Sequence, residues 1–407
     1  MPAESAWLVV VGIGEDGYEG LCSAARHALE RADIVIGSTR QLAFIPTTAS
    51  ERVVWPSPML SFVDELLARH RDRRVAVLAS GDPMLHGVGA VLARHVACEE
   101  LQVLPQASAF ALACARMCWP EVDVALVSVV ARPLALVRRE LSSARRVIVY
   151  SENGETPAAL AALLVAAGFG PSALHVFERL GGACERRHDG TAETWNAVAC
   201  DDLNVVAIAC VAAPGTRVLS TLAGLPDDAY ENDGALTKRE VRAATLARLG
   251  PLPGDLLWDV GAGSGSIALE WLRAHPTCRA VAFERDPVRA ARISRNAETL
   301  GVPGLRVVVG PAPATFSSAG TAPDALFIGG GLNGDDTLLA CCWDALRSNG
   351  RVVANVVTVG GETALAAARE RWGGELARIA VARADTVGGV LGWRPQMPVT
   401  QWAAIKP

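Results

Sequence analysis

The chain has 407 residues, too many for one ordinary domain, and a hydrophobic fraction of 51% that supports large cores. Its net charge of −5 argues against a protein that grips a phosphate backbone with a broad basic face. Ten cysteines include no C-x-x-C and no Cys/His cluster at metal spacing, so no metal site and a reducing, cytoplasmic setting are expected.

Cys114 and Cys118, one helical turn apart, and the adjacent Cys341 and Cys342 read as small buried residues. The N-terminus lacks a basic region followed by an apolar stretch and a cleavage site, so no signal peptide is expected. The longest apolar helical segment, Ala158–Ala167, is too short to span a bilayer.

Residues 7–210 alternate short apolar runs with amphipathic ones. Strands are expected at Trp7–Val11, Ile34–Ile36, Val75–Leu78, Val103–Leu104, Val124–Val130, Val147–Tyr150, His175–Phe177 and Val205–Ala209. Helical patterns such as Glu19–Arg31, Phe62–His70, Val88–Val96 and Pro157–Ala167 lie between them. The alternation predicts an α/β domain with largely parallel sheets. Its first turn, Gly12-Ile13-Gly14-Glu15-Asp16-Gly17, is a literal G-x-G-x-x-G. A dinucleotide site also needs an acid at the end of the second strand, and Asp33 lies at its start. A nicotinamide oxidoreductase is therefore the weaker alternative. A second loop, Gly81-Asp82-Pro83 through Gly87, follows the strand ending near Leu78. These residues favour turns in any protein, so an ordinary turn and a ligand loop both remain open.

Residues 212–235 are rich in Pro, Gly and Asp and read as a linker. Thr237 and Glu240 then form T-x-x-E, a capping box, and Thr237 is also a candidate cofactor contact. A second α/β series has strands near Leu256, Ala280, Arg306, Ala325, Val352, Ala377 and Thr400, the last two expected to pair antiparallel. Its most informative stretch is Leu256–Glu270, where an apolar strand ends in Asp259 and runs into Gly261, Ala262, Gly263, Ser264 and Gly265. Glycines there allow tight turns and close approach of a ligand, and a helix N-terminus behind them offers free N–H groups. Ser266 stands where a dinucleotide fingerprint needs its third glycine. The next strand ends in Glu284, which can accept both ribose hydroxyls. Early glycines followed by that acid resemble the class I S-adenosylmethionine (SAM) methyltransferases; the alternative is a tight strand–helix turn without a ligand.

In the first half, Gly12-x-Gly14, Gly81-Asp82-Pro83, Pro105-x-x-Ser108 and Ser128-x-x-x-Arg132-Pro133 resemble the tetrapyrrole (class III) SAM methylases. Over the whole chain, D-G-x-x-T-K-x-E-V-R (233–242), W-D-V-G-A-G-S-G-S-I (258–267), F-E-R-D-P (283–287) and F-I-G-G (327–330) resemble the decarboxylating precorrin-6Y C(5,15)-methyltransferase family of cobalamin biosynthesis. The resemblance implies a two-lobed tetrapyrrole methylase domain (1–211), then a seven-stranded class I Rossmann-like methyltransferase domain (236–407). It implies SAM held by Gly12, Gly14, Gly81, Asp82, Pro83 and Ser108 in the first domain. In the second it implies Thr237, Gly261, Ala262, Gly263, Ser264, Gly265, Glu284 and Ala312. The implied reaction methylates carbons 5 and 15 of a precorrin-6 macrocycle and decarboxylates the ring C acetate, giving precorrin-8. The second domain would handle carbon 15 and the acetate, and the first carbon 5.

Three departures stand out. Val129-Val130-Ala131-Arg132-Pro133 replaces the usual Leu-His-Gly-Arg-Pro and lacks its imidazole; Gln106 follows Pro105 in place of the usual glycine; and Gly310-Pro311-Ala312 replaces Gly-acid-Ala. Catalytic candidates are Glu270, Arg132, Lys238 and Arg239, with Glu270 read equally well as structural. Arg132, Arg179, Lys238, Arg239 and Arg242 are the candidate cations for a polycarboxylate substrate. A homo-oligomer is expected, with neighbouring cobalamin-pathway enzymes as further partners and neither nucleic acid nor membrane. A SAM methyltransferase acting on RNA or another metabolite, and a corrinoid carrier with degenerate domains, are the remaining alternatives.

Overall fold

The computed structural model describes residues 6–47, 49–56, 63–196, 199–234, 236–332 and 337–407. Phe62 and Ala235, expected ends of a helix and of the linker, lie outside the described residues. The chain divides into two compact units, Met1–Leu134 with Glu140–Arg217, and Ala135–Arg139 with Val218–Pro407.

In unit 1 a first lobe carries β1 (Leu8–Ile13), β2 (Ile34–Gly37), β3 (Glu51–Val54), β4 (Val75–Ser80) and β5 (Leu101–Leu104). All pairs are parallel, in the order β3-β2-β4-β1-β5. The central strands β1 and β4 are almost wholly apolar and buried, as a sheet covered on both faces requires. Helices α1 (Ser23–Arg31), α2 (Thr39–Phe44), α3 (Val63–His70) and α4 (Val88–Leu92) accompany it. Ser38 caps α2 in a reciprocal box with Gln41.

The second lobe follows α5 (Ala109–Met117) and holds β6 (Val124–Ser128), β7 (Arg146–Tyr150), helix α6 (Thr156–Ala166), β8 (Ala173–Glu178), β9 (Arg186–Thr191) and β10 (Asn204–Ala209). Its sheet runs β6-β7-β10-β8-β9, and only β6–β7 is parallel. This corrects the expectation of largely parallel sheets. Among the described residues no α-helix separates β8, β9 and β10, and short links join antiparallel neighbours only. Strands β3 and β9 went unforeseen because they are sheet edges with charged sequences, ERVV and RRHDGT. Cys118 is exposed, contrary to expectation; it ends α5 in the left-handed region.

Unit 2 holds α7 (Arg239–Leu249), β11 (Leu256–Val260), α8 (Ser266–Ala274), β12 (Arg279–Glu284), α9 (Pro287–Thr299), β13 (Arg306–Val309), β14 (Ala325–Ile328), α10 (Thr337–Ala345), β15 (Arg351–Val356), α11 (Val359–Trp372) and β16 (Glu375–Ile379). A hairpin, β17 (Ala382–Val387) and β18 (Val390–Pro395), precedes β19 (Val399–Ile405). The seven-stranded sheet runs β13-β12-β11-β14-β15-β19-β16, with β19 antiparallel to β15 and β16. The expected seven strands and antiparallel final pair are present; the hairpin between them was not anticipated. Strand order reverses at β11, so the glycine loop opens at the switch point where α/β sheets bind ligands. Lys406 donates to the carbonyls of Trp343 and Leu346 at the end of α10, at 2.7 Å each.

The linker expectation is corrected from Val218 onward. Leu225 and Tyr230 are buried in the unit 2 core. They are fixed by one carboxylate, Glu270 of α8. Gly224 and Leu225 donate their N–H groups to it at 2.6 and 3.0 Å. Tyr230 Oη and Arg242 Nε each donate at 2.6 Å. Arg242, fully buried, also donates to Asp227 and to the carbonyls of Leu225 and Thr237. Removing one partner of such a buried pair strands the other charge. Glu270→Ala is expected to destabilise the chain by about 3–5 kcal/mol. Urea unfolding followed by tryptophan fluorescence checks this, and a midpoint shift no larger than that of a surface variant would contradict it.

Candidate functional site

Each unit places a glycine-containing loop at the carboxyl ends of parallel strands. In unit 1 the loops after β1, β4 and β5 line a cavity of ≈ 740 Å³ between the two lobes. Gly14, Gly81, Asp82 and Ser108 face it. Gly12 lies behind: a Cβ there would stand 2.2 Å from the Gly81 carbonyl and 2.7 Å from the Gln106 nitrogen. That glycine lets three loops meet. Pro83 is buried, and a Cβ on Gly87 would meet its carbonyl at 2.6 Å, so it shapes the loop from within. Asp82 Oδ1 accepts from Met84 N at 2.8 Å, and Ser108 caps α5 by accepting from Ala111 N at 3.0 Å.

The structure adds cavity residues that were not singled out from sequence. Tyr150 of β7 accepts from Phe110 N at 3.0 Å, and burial raises its phenol above the ordinary value. Glu15 pairs with Arg40 and, across the lobes, with Arg179 at 3.4 Å. Arg179 also donates to Asp201 at 2.8 Å, so it is held in place rather than free for substrate. Charged residues in a turn-rich loop are ordinary in sequence; only the meeting of two lobes shows them as a group. Val130 lines the cavity as an apolar wall, while His86 brings an imidazole from the Gly-Asp-Pro loop. Arg132 is exposed, with no ion pair among the described residues.

In unit 2, Gly261, Gly263 and Gly265 all have positive φ, +71°, +60° and +76°. Their roles differ. Gly261 is exposed, and a Cβ on it would meet the Gly330 backbone at 3.1 Å. Gly263 donates its N–H to Glu284 Oε2 at 2.8 Å, and Glu284 Oε1 accepts from Asp286 N at 3.0 Å. Ser264 and Gly265 are buried; a Cβ on Gly265 would stand 2.7 Å from Ile293. These two serve helix packing and present no side chain to a ligand. Ala312 is half-buried and packs on the cluster where Trp258, Phe283 and Phe316 lie 5.1–5.2 Å apart.

Three expectations change here. Thr237 does not cap α7: Lys238 is the N-cap residue, without a side-chain cap bond, and Glu240 pairs with Arg383 instead. Glu270 is saturated by four donors, which makes it an anchor rather than an acid or base. Arg242 is buried with it, and Arg239 donates to the Gly224 carbonyl at 2.7 Å. Lys238 has no ion pair among the described residues.

Residues 7–195 match the tetrapyrrole (corrin/porphyrin) methylases, and residues 228–406 match the precorrin methyltransferase domain. Fold and site are those of a methyltransferase built from two units. A decarboxylating precorrin-6Y C(5,15)-methyltransferase of Sinorhizobium sp is 47% identical, over 99% of this chain and 97% of its own. One of Mycobacterium tuberculosis (strain ATCC 25618 / H37Rv) is 46% identical, over 98% and 100%. The C-terminal domain of precorrin-6Y C5,15-methyltransferase from Rhodobacter capsulatus, a crystal structure, is 41% identical with a TM-score of 0.44, covering 46% of this chain and 100% of its own. The chain belongs to the family of decarboxylating precorrin-6Y C(5,15)-methyltransferases.

Asp259, at the end of β11, is fully buried. Its Oδ2 accepts from Ala268 N at 3.1 Å, while Oδ1 has no partner. Burial pushes this carboxyl up from 3.8 to about 7, with Glu284 adding to the rise. A proton held more tightly in the folded chain stabilises it at low pH, and that benefit is lost as pH rises toward 7. Asp259→Asn cannot ionise. Its stability relative to wild type is expected to rise between pH 4 and 8, by on the order of a few kcal/mol. Urea titrations of both proteins across that range check it; a pH-independent difference would contradict it.

Proposed function

We propose that this chain methylates carbons 5 and 15 of a precorrin-6 macrocycle and decarboxylates its ring C acetate, giving precorrin-8 in cobalamin biosynthesis. Identity of 46–47% over nearly the full length of two such enzymes carries this reading. In it the methyl donor is SAM in both units, and the enzyme is a cytoplasmic homo-oligomer that works beside other enzymes of the same pathway.

The residues of unit 2 fit that cofactor. Gly261 and Gly330 form a cradle that only backbone lines, the Glu284 carboxylate keeps lone pairs beyond its two N–H bonds, and Asp259 Oδ1 is unpartnered. SAM, when bound, supplies an electrophilic methyl sulfonium. Glu284 would accept the ribose hydroxyls, with Gly261, Ala262 and Gly263 against the methionine portion and Ala312 and Thr237 at its edges. Gly14, Gly81, Asp82 and Ser108 would do the same work in unit 1. Meso carbons of a reduced tetrapyrrole are electron-rich, so alignment can supply much of the acceleration, ~7–11 kcal/mol in well-oriented cases. Lys238 and Arg132, cations without ion partners among the described residues, would take substrate carboxylates. The macrocycle itself serves as electron sink for loss of carbon dioxide. Two carbons far apart on the ring need two donor sites, and two unlike units supply them.

The test is incubation of the full chain with SAM and candidate precorrins, with product masses reporting methyls gained and carbon dioxide lost. Two methyls and one carbon dioxide are expected; a product without decarboxylation would overturn the reading. Glu284 gives a second test. Hydrogen bonds to a charged acceptor are worth roughly 1.5–3 kcal/mol each. Glu284→Ala is expected to weaken SAM binding in unit 2 at least tenfold by calorimetry. Unchanged affinity in a folded variant would reject Glu284 as the ribose acceptor.

A further inference from the structure

Among the groups that line the unit 1 cavity, the His86 imidazole stands apart. Its backbone is left-handed, φ +56°, a region that a non-glycine residue adopts at a cost and that gathers at functional sites. The loop around it fixes that geometry. Asp82 Oδ1 accepts from Met84 N, Leu85 N donates to the Asp82 carbonyl at 3.2 Å, and Ala90 N donates to the Pro83 carbonyl at 3.2 Å. Gly87 and Gly89 pack so closely on Pro83 that a Cβ on either would meet its carbonyl below 3 Å. The ring stands edge-on to Tyr150, with centroids 6.1 Å apart. Neither ring nitrogen bonds to protein among the described residues, whereas Tyr150 is engaged by Phe110 N. A rotamer presented by a self-braced loop into a cavity, with both nitrogens unspent, is what a proton acceptor needs.

We propose that His86 is the catalytic base of methyl transfer in unit 1, removing the hydrogen from the meso carbon that receives the methyl group. The inference rests on the reading that unit 1 carries out one of the two methylations. The macrocycle's π electrons form the new carbon–carbon bond to the methyl group. The sulfur–methyl bond breaks, with its electron pair going to sulfur. The meso carbon then holds both a methyl and its original hydrogen, and the ring system is cationic. The imidazole takes that hydrogen as a proton, and the C–H electron pair restores the conjugation. Without a base at this point the cation persists and can trap water.

The surroundings keep the imidazole neutral and ready to accept. Partial desolvation at the cavity wall lowers its pKa below the ordinary value, and the Arg132 guanidinium on the loop after β6 lowers it further. The other titratable or charged groups near it are Tyr150 of β7, Asp82 of its own loop, and Glu15 and Arg40 on the same cavity wall, these two paired with each other. Val130 offers no ionisable group there.

The test uses the full chain and His86→Gly, since glycine takes φ +56° without strain and loses the ring alone. Three results are expected. SAM binding measured by calorimetry stays unchanged. The deprotonated product of the unit 1 methylation forms 10²–10⁴-fold more slowly, the usual range for a lost base, while the reaction of unit 2 proceeds as an internal control. Added imidazole restores the rate, and the acidic limb of the wild-type pH profile disappears from the variant. A ¹³C-imidazole NMR titration of the wild type, assigned by the signal missing in His86→Gly, is expected to place this histidine below 6.5. Undiminished formation of that deprotonated product in the variant would overturn the proposal. So would a loss accompanied by weakened SAM binding and no imidazole rescue, which would make His86 a part of the loop's structure. A wild-type chain that adds only one methyl would instead sink the reading of unit 1 as a methylating unit, and this proposal with it.

Discussion

The Glu270 carboxylate meets four donors in a space from which water is excluded, and unit 2 is organised around that meeting. Two of the donors are backbone N–H groups of the segment entering the unit, one is the Tyr230 phenol, and one is the fully buried Arg242. Burial and the adjacent Glu270 charge both hold the Tyr230 proton in place. A single acid therefore ties α7, α8 and the incoming strand of chain together. Because Gly265 is the N-cap of α8, the same acid fixes the helix whose N-terminus backs the glycine loop. The cost of burying these charges is offset only while every partner is present, so the network behaves as one part rather than as four contacts.

The two glycine loops solve the problem of close approach in different ways. In unit 2 the demand falls on backbone conformation, since each of Gly261, Gly263 and Gly265 sits at positive φ. In unit 1 it falls at Gly12 on space, since three strand ends crowd there and a Cβ would collide with two of them, while Gly81 beside it also sits at positive φ. The ligand-facing residues are accordingly neighbours of the tight glycines, not always the glycines themselves.

Much of this was legible in the residues. The buried strands were visible because both sheet faces demand apolar runs, and the glycine–acid pattern around Gly261 and Glu284 marked the switch point. Edge strands β3 and β9 were not visible, because a strand with one face in water and one side unpaired carries charges like any loop. The role of Glu270 was undecidable for a related reason. Its partners Leu225 and Tyr230 sit in a stretch whose Pro, Gly and Asp content reads as a linker, yet their two large side chains are core. The T-x-x-E pattern misled because Glu240 found Arg383, more than a hundred residues away, a partner no local pattern announces. In unit 1 the cavity joins side chains from two lobes, and Glu15, Arg40 and Tyr150 acquire meaning only when those lobes meet.

The basic residues of this chain are almost all arginines; its lysines are Lys238 and Lys406. Lys406 spends its ammonium on carbonyls at the end of α10, whereas Lys238 stands at the head of α7, four residues before the buried Arg242. Amine-selective acylation therefore meets Lys406 already held by three carbonyls and favours Lys238, whose side chain has no hydrogen bond or ion pair among the described residues. A dye attached there would sit at the entrance to unit 2 without any engineered cysteine, and guanidinium-rich surfaces elsewhere would stay chemically silent.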